Sequence, residues 1–352
     1  MAQIATSPEP QKQKDKSQPN IHSEGYRFPN VFHRKSKEQN ESSYLTANVS
    51  DYEIIRKICG IEDVSFLVLA KHQPTQKMVS LKITDLTLSP DNEFIEEIIK
   101  SIKNNRMLHH KNILPNFLSF INDDELYSIT LPLYGTLRGI MKDNFENGFS
   151  EVVVATIIKE VLKALQYLHE NHIIHNDIRS DNIVIDEHGD VKLTGFRQMR
   201  ILQHGGQMSK TAFSLVGDNI EWAAPEVMSQ NVNYDASADM YSMGITAMEL
   251  GFNQTPFDGW PPLKVLLCKQ HYECPAIKST KTFSKHFYKF VQSCAHKVPS
   301  ERPKVTECLE HAFIKQSKNS SYLEQSVIKR CKQLQSAHSS SSISHDLGSP
   351  TD

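Results

Sequence analysis

The chain has 352 residues, 39% of them hydrophobic and 23% charged, with a formal net charge of −2. That composition suits a soluble globular protein with a buried core, and the near-neutral balance excludes a global field that would draw nucleic acid or a membrane surface. No apolar run approaches the ~18 residues of a membrane helix, and the polar N-terminal stretch carries no signal-peptide pattern, so the expected compartment is the cytoplasm, with the nucleus open as well.

Residues 1–50 are rich in Lys, Gln, Ser and Pro and bury too little apolar surface to offset chain entropy; they are expected to be disordered. Strands are predicted over Tyr52 to Ile58, Phe66 to Ala70 and Met78 to Ile83. A short helix follows, with Phe94, Ile95, Ile98 and Ile102 on one face, then a strand over Leu126 to Leu131. Ser150 is placed to cap a helix whose apolar residues Val154, Ile157, Ile158, Val161, Leu162, Leu165 and Leu168 keep a 3.6-residue period. A second buried helix is expected from Ser237 to Leu250, with Gly251 as its C-terminal cap. The tail 317–352, with its run of four serines, is expected to be mostly disordered apart from one short helix near Leu323 to Leu334. The six cysteines (Cys59, Cys268, Cys274, Cys294, Cys308, Cys331) form no C-x-x-C pair, so buried reduced thiols are expected rather than a zinc site. A sheet-rich part followed by a larger helical part is an α+β, two-lobe plan.

His175-Asn176-Asp177-Ile178-Arg179-Ser180-Asp181-Asn182 resembles the catalytic loop of protein kinases, in which the Asp accepts the substrate hydroxyl proton and the Asn holds a metal ion. Other kinase segments arrive in order. Val79-Ser80-Leu81-Lys82 resembles V-A-I-K, whose Lys grips nucleotide phosphates; His110-Lys111-Asn112-Ile113 resembles the segment after the C-helix; Ala224-Pro225-Glu226 resembles A-P-E. Asp239 to Gly244 resembles the D-x-x-x-x-G helix, and Glu301-Arg302-Pro303 supplies the Arg that pairs with the A-P-E Glu in that family. The resemblance implies a two-lobed protein-kinase fold over 51–316, with an N-lobe at 51–133 and a C-lobe at 134–316. Its nucleotide pocket would comprise Gly60, Leu67, Ser80 and Lys82, with Thr130 as gatekeeper and a hinge near Leu131 to Leu133. Lys82 alone also reads as a solvated strand lysine. His175, Phe196, Glu226, Asp239 and Arg302 read as structural: a packed histidine, a core phenylalanine, a buried ion pair and a carboxylate tying the catalytic loop.

The departures bear on function. Where kinases carry D-F-G, this chain has Gly195-Phe196-Arg197, and glycine coordinates nothing. Asp177, Asn182 and Gly195 are thus expected to be vestigial, with no metal held, because phosphoryl transfer depends on metal-neutralised charge. The C-helix Glu falls at Ser101 by family spacing, with Glu97 one turn earlier, about 5.4 Å away. Of the phosphate-loop glycines only Gly60 is present, followed by Glu62 and Asp63, which add negative charge. Asn176 replaces the loop arginine that reads activation-segment phosphates, so switching through Ser209, Thr211 or Ser214 is not expected by that route.

These features are similar to the STRAD pseudokinases, adaptors related to sterile-twenty kinases. Gly60-Ile61-Glu62-Asp63 resembles their phosphate loop, Gly195-Phe196-Arg197 their Gly-Leu-Arg, and His204-Gly205 their activation segment. Tyr241 to Leu250 is close to their Tyr-Ser-Val-Gly-Ile-Thr-Ala-Cys-Glu-Leu, and Thr282-Phe283-Ser284 and Phe313-Ile314-Lys315-Gln316 resemble their C-lobe. The resemblance implies a non-enzymatic partner that binds an LKB-type serine/threonine kinase as a pseudosubstrate and shifts it to its active conformation, with ATP allowed as a structural ligand without magnesium. It also implies an armadillo-type scaffold, the Mo-twenty-five protein. The family's C-terminal Trp-Glu-Phe is absent, since the chain reads Pro350-Thr351-Asp352, which leaves the folded lobe as the remaining route to that scaffold. Two other readings stay open: a weak serine/threonine kinase, because Lys82, Asp177 and Asn182 survive, and an interaction scaffold that binds no nucleotide.

Overall fold

The computed structural model describes residues 44–61, 65–88, 92–202, 219–229, 234–277, 279 and 281–343, all within the unit Lys37–Asp352. Glu62, Asp63, the segment with His204 and Ser209 to Ser214, and all but the last few residues of the stretch 1–50 lie outside the described residues, so their expectations are not addressed.

Five strands form the first layer: β1 (Tyr52–Ile61), β2 (Ser65–His72), β3 (Lys77–Asp85), β4 (Asn116–Asn122) and β5 (Glu125–Thr130). They are antiparallel in the order β1-β2-β3-β5-β4. β2 and β3 alternate Val68, Ala70, Val79, Leu81 and Ile83 into a core closed by Tyr52, Tyr127 and Ile129. Tight turns at Gln76 and Asp123, with φ of 59° and 50°, join the neighbouring strands. The sequence shows the first three strands and β5, each within three residues; β4 is not legible, because Asn116-Phe117-Leu118-Ser119 lacks clean alternation. Helix α1 (Asn92–Arg106) lies between β3 and β4 in the chain, with Phe94, Ile95, Ile98 and Ile102 half-buried.

A three-stranded sheet of β6 (Gly135–Thr136), β7 (Ile183–Ile185) and β8 (Val191–Leu193) begins the second part. Around it stand α2 (Leu137–Asn144), α3 (Glu151–Glu170), α4 (Ser237–Phe252), α5 (Pro262–His271) and α6 (Lys285–Cys294). α3 buries the stripe expected from its period, from Val153 through Leu168; Ser150 sits extended at the N-cap position, but its side chain makes no capping hydrogen bond. α4 is buried on every face from Ala238 to Phe252, with its polar residues Asp239, Ser242, Thr246 and Glu249 along one side. Gly244 is required there, because a Cβ would lie 2.9 Å from the Ala295 backbone nitrogen. The helix runs two residues past the expected end, so the left-handed cap is Asn253 (φ 57°) rather than Gly251.

In the tail the expected short helix near Leu323 to Leu334 is present and longer: Ser320–Leu323, a π-helical turn over Glu324–Lys329 and α7 (Arg330–Ile343) form a continuous helical segment, while 344–352 lie outside the described residues. Leu323, Val327, Ile328 and Cys331 are buried in the C-lobe core, Arg330 lies over the Phe145 ring and Lys332 reaches Glu187 at 3.5 Å. Four apolar positions within nine residues are too few to read as core until the surface that receives them is known. Of the cysteines, Cys294, Cys308 and Cys331 are buried, while Cys268 and Cys274 are half-buried; all five are free.

Candidate functional site

The two layers meet at a cleft around a cavity of about 150 Å³. Antiparallel register sets its roof: Ser80 pairs with Thr130, and Lys82 with Ser128, so the residues of V-S-L-K face the end of β5. The structure brings Leu67, Lys82, Thr130, Leu133, Asp177, Asn182, Gly195 and Phe196 to the cavity wall. Ser80 is not among the wall residues; its buried hydroxyl instead accepts the Leu133 N–H at 2.9 Å. Gly60 is a β1 residue in register with Phe66.

The catalytic-type loop is held from below by Asp239. Its Oδ1 accepts the Asn176 N–H at 2.7 Å, and its Oδ2 accepts the His175 N–H at 2.9 Å and contacts His169 Nε2 at 2.8 Å. Asn176 sits at φ 65°, a left-handed conformation that asparagine tolerates better than most side chains. His175 is fully buried, with Nε2 at 2.8 Å from the Thr194 carbonyl and its ring edge-on to Phe196 at 5.0 Å. Burial lowers its pKa, which keeps a packed ring neutral. Glu226 and Arg302 form a bidentate buried pair at 2.5 and 2.9 Å, and the guanidinium also donates to the carbonyls of His296, Ser237 and Lys297.

At the floor, Asn182 Nδ2 donates to Asp177 Oδ2 and to the Asp177 carbonyl, both at 2.8 Å. Arg179 Nε lies 3.3 Å from Asp177 Oδ1, and its Nη1 lies 4.0 Å from Asp181 Oδ2. Both carboxylates of the cavity therefore lie within ion-pair range of one guanidinium. Gly195 has φ +87°, and a Cβ there would fall 2.2 Å from Asn182 Cγ and 2.3 Å from its Oδ1. The carboxamide fills the space a side chain at 195 would need. Among the described residues no group of three or more His, Cys, Asp and Glu is placed to hold a metal. Magnesium asks for several open oxygens in octahedral array, and this donor set does not fit it. Glu97 of α1 lies 3.8 Å from Arg197 Nε, and Arg197 stands over the Phe94 ring at 5.3 Å; Ser101 lines the cavity.

Three residues carry geometry that sequence reasoning did not assign. Arg179 pins the loop carboxylates, Arg197 takes the C-helix glutamate, and Glu249 of α4 ties the loop to the segment before α4. Fully buried, Glu249 accepts from Ser180 N–H (3.0 Å), Ser180 Oγ (2.5 Å) and Trp222 Nε1 (2.9 Å). Burial pushes its carboxyl up to about 7, against the lowering effect of the Ser180 bonds. A carboxylate inside the mostly apolar run Gly244 to Leu250 was the available signal.

A family model described as "Protein kinase domain" matches residues 52–314. Serine/threonine-protein kinase fray2 of Dictyostelium discoideum is 39% identical over 264 residues, 74% of this chain but 25% of that protein. STE20-related kinase adapter protein alpha of Homo sapiens is 29% identical over 332 residues, 80% of this chain and 77% of the adapter. Serine/threonine-protein kinase fray1 of the same Dictyostelium species is 33% identical over 254 residues, 71% of this chain and 43% of that kinase. The sheet order, the buried Glu226–Arg302 pair and the match over 52–314 converge: the chain belongs to the protein kinase family, with similarity to a STE20-related adapter and to fray-type kinases.

Proposed function

We propose that this chain is a non-catalytic kinase-fold adaptor that binds an LKB-type serine/threonine kinase and holds it in its active conformation, acting in the cytoplasm. The observation that carries this reading is at position 195. A glycine at φ +87°, backed by the Asn182 carboxamide, leaves neither a carboxylate nor room for one where magnesium would bridge the phosphates. A fold kept intact by the Asp239 and Arg302 networks, yet without that ligand, works by being bound. The adapter relative supports the same reading, since its alignment extends over 332 residues. An armadillo-type scaffold is a further partner in this reading. No helix among the described residues is long and apolar enough to cross a membrane.

A second reading is a weak serine/threonine kinase. It is favoured by the 39% identity to fray2 and by Lys82, Asp177 and Asn182 at the cleft. One pair of assays separates the two. Peptide phosphorylation by an LKB-type kinase is measured with and without saturating chain, and label transfer from ATP by the chain alone is measured with magnesium and with manganese. Stimulation of the partner with no transfer by the chain supports the adaptor. An unchanged partner rate, together with transfer that Asp177→Asn abolishes, supports the kinase.

A further inference from the structure

We propose that Ser80 closes the cleft from within: its hydroxyl takes the place of a purine at the hinge, and this chain excludes adenine nucleotides. Adenine presents a donor, N6–H, beside an acceptor, N1, so a backbone that reads it must offer one open carbonyl and one open N–H. Pro132 has no N–H to give. The next N–H, of Leu133, already donates to Ser80 Oγ at 2.9 Å. Thr130 Oγ1 lies 3.2 Å from the Leu131 carbonyl, so that hinge acceptor also has an internal donor within reach.

The packing agrees with the hydrogen bonds. Leu67 of β2 and Val184 of β7, from the two walls between which a flat base would slide, pack with Leu133 and Leu114 in one buried cluster, with Ile58 and Leu131 against it. Inserting a ring would require parting apolar surfaces that already exclude water. What remains is about 150 Å³. A cavity of that order holds a benzene-sized molecule, whereas pockets for drug-sized ligands run to roughly 300–1,000 Å³. The kinase motif V-A-I-K has alanine at this position, which has no oxygen to accept the hinge N–H; the change to Ser80 supplies one. This deepens the adaptor reading of the same cleft, and its test involves no partner kinase, so the two fail separately.

The full chain is titrated with ATP, with and without magnesium, following thermal melting and the fluorescence of a labelled adenine nucleotide. Wild type is expected to show neither a melting shift nor saturable binding at millimolar ATP. Ser80→Ala frees the Leu133 N–H and is expected to bind roughly tenfold or more tighter than wild type, the scale of one buried amide hydrogen bond. Ser80→Cys keeps the shape with a slightly larger, weak acceptor and gives the same reading should Ser80→Ala fail to melt cooperatively. Saturable ATP binding by wild type, or a folded Ser80 variant that binds no better than wild type, overturns the proposal.

Discussion

Restoring the metal-binding aspartate by Gly195→Asp is the most direct perturbation of this site, and the geometry says it fails. A non-glycine residue at φ +87° carries a backbone cost of about 1–3 kcal/mol. The new Cβ would stand 2.2 Å from Asn182 Cγ, so the carboxamide must move and give up its 2.8 Å bonds to Asp177. Losing a buried hydrogen bond to a charged group costs about 1.5–3 kcal/mol. Together these make a loss of about 3–6 kcal/mol, before counting a second carboxylate beside Asp177. At about 2–4 °C per kcal/mol for a domain of this size, Tm falls by about 6–24 °C. Melts with and without magnesium, and label transfer from ATP, are the assays. The expected outcome is a lower Tm, no stabilisation by magnesium and no transfer. Asn182→Gly combined with Gly195→Asp removes the overlap and is expected to recover part of the Tm loss. If Gly195→Asp melts with wild type and gains magnesium-dependent transfer, the steric argument is wrong.

The remaining predictions concern the frame around the cleft. Truncation after Lys318 uncovers the seat of Leu323, Val327, Ile328 and Cys331. The lost burial outweighs the regained chain entropy by a few kcal/mol, so Tm should drop by roughly 5–10 °C in a circular-dichroism melt, and an unchanged Tm would refute the docking. Glu249 sets a pH dependence. Its folded pKa of about 7 lies above the ordinary 4.5, so between these values the folded chain keeps a proton that the unfolded chain has released. Stability therefore falls as pH rises from 4.5 towards 7, by about 3 kcal/mol in all. Glu249→Gln should flatten that part of the stability–pH curve in denaturant titrations; an equal slope in both proteins counts against it.

Local pattern carried much of the fold. The period of Val154 to Leu168 announced α3, and the alternation around Val79 to Ile83 announced β3, because one buried face leaves its spacing in the chain. β4 was silent, since all but one of its residues are half-buried and no face is cleanly apolar. The cap of α4 moved from Gly251 to Asn253: propensity ranks glycine first, but the helix continues through the buried Phe252, and Asn253 takes the left-handed position.

For the site, residue types and their order were enough to mark the missing carboxylate at 195, the loop of Asp177 and Asn182, and the structural roles assigned to Glu226, Asp239 and Arg302, because each depends on a motif contiguous in the chain. Beyond the Glu226–Arg302 pair, which the family resemblance implied, partners across the chain were decided only by the tertiary structure. Ser80 meets Leu133 across 53 residues, Glu249 meets Ser180 across 69, and Arg197 meets Glu97. Whether a hydroxyl faces solvent or a hinge amide depends on strand register and hinge length together. Distances set by two distant segments leave no periodic trace in either one.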